Sequence, residues 1–142
     1  MTERSTVVLL PGLLCDEDVW RTQIRRLSAE ADVFCPGFMD HGSIEAMAQA
    51  VLARAPDRFR LAGHSMGGRV ALEIVARAPA RVERLALLDT GFHPVRAGEA
   101  EGRSRLVRIA FEQGMAALAR HWLPPMLGPG RAQDAALTAR LT

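Results

Sequence analysis

Gly63, His64, Ser65, Met66 and Gly67 set a serine between two glycines at G-x-S-x-G spacing, the nucleophile-elbow pattern. A serine hydroxyl is a weak nucleophile at neutral pH. It serves in acyl transfer only when a base takes its proton and N–H donors receive the charge that develops on the carbonyl oxygen. The elbow is a tight strand-to-helix turn that strains its central residue, so the positions two before and two after must be small. Gly63 and Gly67 meet that demand, and Ser65 is the candidate nucleophile. Short motifs arise by chance, so the flanks must carry the assignment. Upstream, Phe59, Leu61 and Ala62 end a short apolar run that begins after Pro56. Downstream, Val70, Ala71, Ile74, Val75 and Ala78 recur at helical spacing until Pro79 stops the helix. Ser65 is thereby expected at a strand's carboxyl end, where open α/β sheets bind ligands.

The second chemical requirement is a pair of backbone donors. Val7-Val8-Leu9-Leu10 reads as a first strand running into Pro11-Gly12-Leu13-Leu14-Cys15, and Asp16 is placed to cap the helix that follows. One oxyanion donor comes from the residue after the nucleophile, here Met66, and the other from the loop after an earlier strand. Leu13 is the best-placed second donor.

The elements that must hold these groups alternate. Strand 6–10, helix 16–29, strand 32–35, helix 43–55, strand 58–62, helix 66–78 and strand 82–88 form a βαβαβαβ series. Such a series implies an α/β fold with a parallel sheet, right-handed crossovers and flanking helices. The second helix is the clearest: Ile44, Met47, Ala48, Val51 and Leu52 follow i, i+3, i+4, i+7, i+8 spacing, with Ser43 as N-cap. After Pro94 the composition shifts. Residues 96–105 are small and charged, and Leu106, Ile109, Ala110, Met115, Leu118, Ala119 and Trp122 mark amphipathic helices broken near Gly114 and closed by Pro124-Pro125.

Three stretches together resemble the α/β-hydrolase family of the small serine esterase and lactonase type. They are Leu10-Pro11-Gly12-Leu13 with Trp20 beyond it, Gly63-His64-Ser65-Met66-Gly67-Gly68, and the run from Arg81 to Thr90. The resemblance covers about residues 5–95. It implies an N-terminal hydrolase core over 1–95 and the start of a helical cap region over 96–142, with Phe92, Trp122 and Met126 as pocket candidates; the alternative is that the residues after Pro94 simply pack on the sheet. It implies Ser65 attack on small carboxylic esters, lactones or thioesters, with a small-molecule acyl substrate and no metal or organic cofactor. A serine rather than an aspartate at the elbow argues against dehalogenase and epoxide-hydrolase chemistry. Pro11 stands where the family commonly has histidine, a mild departure because the oxyanion donor is a backbone group. The family's acid and histidine follow later strands in the order Ser, Asp/Glu, His. Neither is expected before Thr142, so this chain alone is expected to be inactive and to leave strand 82–88 as an apolar sheet edge. The alternatives are a truncated or degenerate hydrolase fold without catalysis, or acyltransferase or cofactor-free peroxidase chemistry on the same scaffold.

The remaining features narrow the function by exclusion. The 142 residues are 49% hydrophobic, enough for a real core, and the net charge of +2 comes from 18 basic residues, all arginine, scattered among 16 acids. Nothing here points to nucleic acid or to an anionic membrane surface. No strand is followed by G-x-G-x-x-G or a Walker-type sequence, which counts against a nucleotide-binding domain. Cys15 and Cys35 make neither a disulfide framework nor a metal site and are expected as free thiols. A run of only four apolar residues precedes Pro11, so neither a signal peptide nor a span is expected, and the expected location is cytoplasmic. Of the histidines, His64 is expected to point away from the Ser65 hydroxyl, and His41 and His121 to be solvated or packed. His93, close behind Asp89, is the least poor alternative base within the chain.

Overall fold

The first strand is buried on both sides because its side chains alternate between two layers. In β1, Thr6–Leu10, Val8 and Leu10 pack into one apolar cluster while Val7 and Leu9 pack into another. The computed structural model describes residues 4–131 and 133–141. Up to His93 the described residues form one compact unit, and from Pro94 they form a second.

In the first unit, β1 is followed by a 3-10 turn at Glu17–Trp20, α1 at Arg21–Leu27, β2 at Asp32–Phe34 and α2 at Ile44–Arg54. Then come β3 at Phe59–His64, α3 at Met66–Arg77 and β4 at Val82–Leu88. All pairings are parallel, and the sheet order is β2-β1-β3-β4. The α/β class and the parallel sheet therefore stand. The main departure is at the first helix: residues 17–20 adopt the tighter 3-10 form and the α-helix is only seven residues long. Asp16 caps it as expected, its Oδ1 accepting from the Asp18 N–H at 2.9 Å.

Two layers of helix cover the sheet. On one face Met47, Ala48 and Val51 of α2 and Val70, Ala71 and Ile74 of α3 join Val8, Leu10, Phe59 and Leu61. On the other, Trp20 and Ile24 lie with Val7 and Leu9. Burying a side chain such as Phe59 stabilises the fold by about 2–3 kcal/mol. Ser43 caps α2 through the Ala46 N–H at 3.1 Å. At the other end of α2 the guanidinium of Arg81 donates to the carbonyls of Leu52, Ala55 and Pro56 at 3.0, 2.8 and 2.8 Å, satisfying groups that a helix end leaves without partners. It also lies 5.6 Å from the centre of the Phe59 ring.

The second unit comprises α4, Glu99–Gln113, α5, Met115–Trp122, and α6, Ala135–Leu141. Gly114, at φ 86°, provides the break between α4 and α5 that its sequence position implied. Ile109, Ala117 and Leu118 form a small core with Leu106, Ala110 and Trp122 against it. Trp122 thus packs within its own unit. No helix among the described residues is long and apolar enough to cross a membrane.

Candidate active site

Among the described residues three other than glycine have positive φ: Leu14 at 57°, Ser65 at 53° and Asp89 at 48°. Each lies just past the carboxyl end of a strand, β1, β3 and β4 respectively, and those three strands are neighbours in the sheet. Left-handed backbone costs about 1 kcal/mol or more at a residue with a side chain, and such strain concentrates at functional sites. The sheet's carboxyl edge is therefore the candidate site, with Ser65 on its middle strand.

The elbow is held by groups on both sides. Ser65 has ψ −116° and is the residue immediately before α3. Its N–H donates to the Leu88 carbonyl at 3.0 Å, and its carbonyl accepts from the Gly68 N–H at 3.0 Å and from the Thr90 hydroxyl at 2.6 Å. The glycines are required, for reasons more specific than room around Ser65. A Cβ at Gly63 would stand 2.3 Å from the Gly67 carbonyl oxygen, and a Cβ at Gly67 would stand 2.3 Å from the Leu10 carbonyl oxygen. Gly67 therefore lets the start of α3 press against the end of β1. Gly68 and Thr90, neither singled out by sequence reasoning, meet in the same way: a Cβ at Gly68 would fall 2.6 Å from the Thr90 side chain. The signal for Gly68 was present, as the second of two adjacent glycines at a helix start. Thr90 stood only as the last residue of the run that carries the family resemblance, with no role attached to it.

The loop after β1 rests on the elbow. A Cβ at Gly12 would lie 3.4 Å from Ser65 Cβ and 3.1 Å from His64 Nδ1. Beyond it the Cys15 N–H donates to the Gly12 carbonyl at 3.2 Å, closing a turn with Leu13 and Leu14 at its centre. Leu13 and Leu14 are each 45% exposed. Among the described residues the backbone N–H groups of Leu13 and Met66 have no hydrogen-bond partner.

Each histidine has its own local surroundings. His64 Nδ1 is buried beside Gly12 without a partner, and His41 Nδ1 is likewise buried with its ring edge-on to Phe38 at 6.5 Å. His121 Nδ1 lies 2.9 Å from the Ala117 carbonyl, one turn back on its own helix. The His93 ring folds over Gly91. Among the described residues Ser65 Oγ has no histidine or carboxylate partner. Both thiols are free. Burial, with the Asp16 carboxylate secondary, pushes Cys15 up, and burial with the Glu17 and Asp16 carboxylates pushes Cys35 up to about 11. These are poor conditions for a thiolate nucleophile. Among the described residues no cluster of histidine, cysteine and carboxylate side chains could hold a metal ion. Of the pocket candidates Phe92 is 90% exposed and Met126 58%.

Sequence and structure comparisons converge on one family. The profile described as "Alpha/beta hydrolase family" matches residues 7–142. The pimeloyl-[acyl-carrier protein] methyl ester esterase of Aromatoleum aromaticum is 35% identical over 94 residues, covering 61% of this chain and 38% of that protein. The protein of the same name from Edwardsiella ictaluri is 38% identical over 87 residues, covering 56% and 34%. Among solved structures, the enol-lactonase from Burkholderia xenovorans LB400 superposes with a TM-score of 0.82 at 26% identity, over 98% of this chain and 58% of that one. A thermophilic esterase from Thermogutta terrifontis gives 0.78 at 22%, over 96% and 56%, a likeness of fold. The chain thus spans less than two-fifths of the length of these sequence relatives and under three-fifths of these structures.

Proposed function

The chain belongs to the alpha/beta hydrolase family, and on that premise we propose that it carries the nucleophile half of a serine carboxylic-ester hydrolase. The observation that carries the reading is Ser65 at φ 53° at the end of β3, with glycine at 63 and 67 where any side chain would strike backbone. In this reading Ser65 Oγ attacks the carbonyl carbon of a small ester, lactone or thioester. The N–H groups of Leu13 and Met66 stabilise the oxyanion of the tetrahedral intermediate, and Gly63 and Gly67 hold the elbow. A histidine and an acid from the part of the relatives' length outside this chain take the proton and orient the base. The helices from Glu99 onward are the start of a cap region. The relatives' names support an ester as substrate class, and an enol-lactone is the cyclic form of the same chemistry.

Trapping the intermediate tests this reading. Mixing a protein that joins this chain to the remaining length found in its relatives, here the full-length protein, with a p-nitrophenyl ester is expected to release a burst of p-nitrophenol and to add one acyl group to the peptide containing Ser65. Acylation at another residue, with Ser65 unmodified, contradicts it.

A second reading follows from the partnerless Ser65 hydroxyl: the 142-residue chain alone has negligible turnover and self-associates through β4. Without a base the serine stays neutral and little charge reaches the oxyanion donors. A monomeric chain with Ser65-dependent esterase activity would overturn both parts.

A further inference from the structure

We infer that Thr90 is a positioning residue for the nucleophile: it clamps the elbow from the loop after β4 and fixes the strained backbone of Ser65. Nothing in the motif requires a residue from another strand to hold the turn. Two observations assign that task to Thr90. Its hydroxyl donates to the Ser65 carbonyl at 2.6 Å, a strong geometry for an O–H···O bond between residues 25 apart in sequence. Its Cβ, Oγ1 and Cγ2 also fill the space above Gly68, at 2.6, 2.6 and 2.7 Å from where a Cβ there would sit.

The consequence is mechanical. The Ser65 carbonyl can swing only if the peptide plane between Ser65 and Met66 rotates, and rotation of that plane would change ψ at the serine, −116°, while φ 53° is held through the preceding peptide group. The same plane carries the Met66 N–H. The Thr90 hydroxyl on one end of the plane therefore holds both the serine's ψ and the direction of an oxyanion donor. From the other side the Ser65 N–H is fixed on the Leu88 carbonyl at 3.0 Å, so both peptide groups of Ser65 are tied to the last turn of chain around β4. Asp89, between these two anchors, has φ 48°. Its left-handed kink brings Leu88 and Thr90 to bear on the same residue.

The catalytic side of the claim rests on Ser65 being the nucleophile; the clamp itself does not. The experiment reads them separately in the full-length protein. Thr90→Val keeps shape and removes the donor, whereas Thr90→Ser keeps the donor. Amide hydrogen exchange is followed by mass spectrometry over residues 63–69, and Ser65 reactivity by phosphonylation with a fluorophosphonate. Thr90→Val is expected to speed exchange of the elbow amides by about tenfold and to slow Ser65 phosphonylation by tenfold or more. Thr90→Ser is expected to recover most of both, with melting temperatures similar across the series. Unchanged exchange in Thr90→Val, or a Thr90→Ser protein as impaired as Thr90→Val, overturns the clamp. Faster exchange with no phosphonylation even of the wild type leaves the clamp standing and removes Ser65 as nucleophile. Unchanged phosphonylation of Thr90→Val despite faster exchange overturns the positioning role. A further check uses Gly68→Ala, which is expected to be destabilised with Thr90 present and relieved by Thr90→Gly, a non-additive pair.

Discussion

β1 and β4 flank the same strand, and each contributes a strained loop to the same edge, but they live in different surroundings. Val8, Leu9 and Leu10 of β1 are at most 2% exposed, between helices on both faces. In β4, Leu85, Leu87 and Leu88 are 41, 42 and 39% exposed, and within the described sheet β4 pairs only with β3. The loop side of the site, with Leu13 as a proposed oxyanion donor, is thus built on a finished core. The clamp side stands on a strand whose apolar surface is half open. The lesson is that the elbow's geometry is set by packing from β1 and by two hydrogen bonds from β4, and these two kinds of support should fail differently.

The comparison can be broken first at Gly67. Because a methyl there would meet the Leu10 carbonyl at 2.3 Å, Gly67→Ala in the 142-residue chain is expected to lose about 4 kcal/mol in urea unfolding, or to fail to fold. A loss below about 1 kcal/mol would mean that β1 and α3 are not in contact as described. The next contrast pairs the strands directly. Leu9→Ala is expected to cost about 2–5 kcal/mol, as a buried truncation does, and Leu87→Ala less than about 1 kcal/mol. Equal losses would show that β4 is covered in solution. Leu87→Lys should then leave stability nearly intact while reducing self-association seen by light scattering, since a charge on an open edge opposes pairing. Arg81→Ala, which removes the donor to three carbonyls at the end of α2, is expected to cost about 1–3 kcal/mol. The smallest effect is at Cys35, pushed up from 9.0 to about 11 by burial. The unfolded chain loses this proton first as pH rises, so the thiol's contribution to stability is expected to decline between pH 9 and about 11. A Cys35→Ala protein should lack that decline.

Much of this arrangement was legible because it is carried by local rules. Ser43 before an apolar 3.6-residue repeat marked the start of α2, and Gly63-x-Ser65-x-Gly67 between a β-like run and a helical one marked the elbow. What escaped was set by register between distant segments. The third strand runs to His64, past the expected 62, because Gly63 and His64 pair with Leu87 and Leu88 of β4. The same pairing brings Thr90 to Gly68, and no property of a threonine after an aspartate foretells it. Arg81 was one of 18 arginines until its three carbonyl partners gave it a role. Leu14 and Asp89 gave no sign of positive φ because neither is glycine, and only the surrounding chain forces them there. The first helix was read too long since Asp16 and the apolar spacing do not distinguish a 3-10 turn from an α-helical one.

The central claim is that Ser65 is the nucleophile, and Ser65→Ala in the full-length protein tests it most directly. Turnover of a p-nitrophenyl ester by purified wild type and variant is compared at matched folding, verified by the same melting curve. Loss of a triad nucleophile lowers kcat on the order of a millionfold in a well-studied serine protease, so the variant is expected to fall to background. A Ser65→Ala protein that keeps more than about a tenth of the wild-type rate would contradict the account, because a group other than Ser65 would then be supplying the attack.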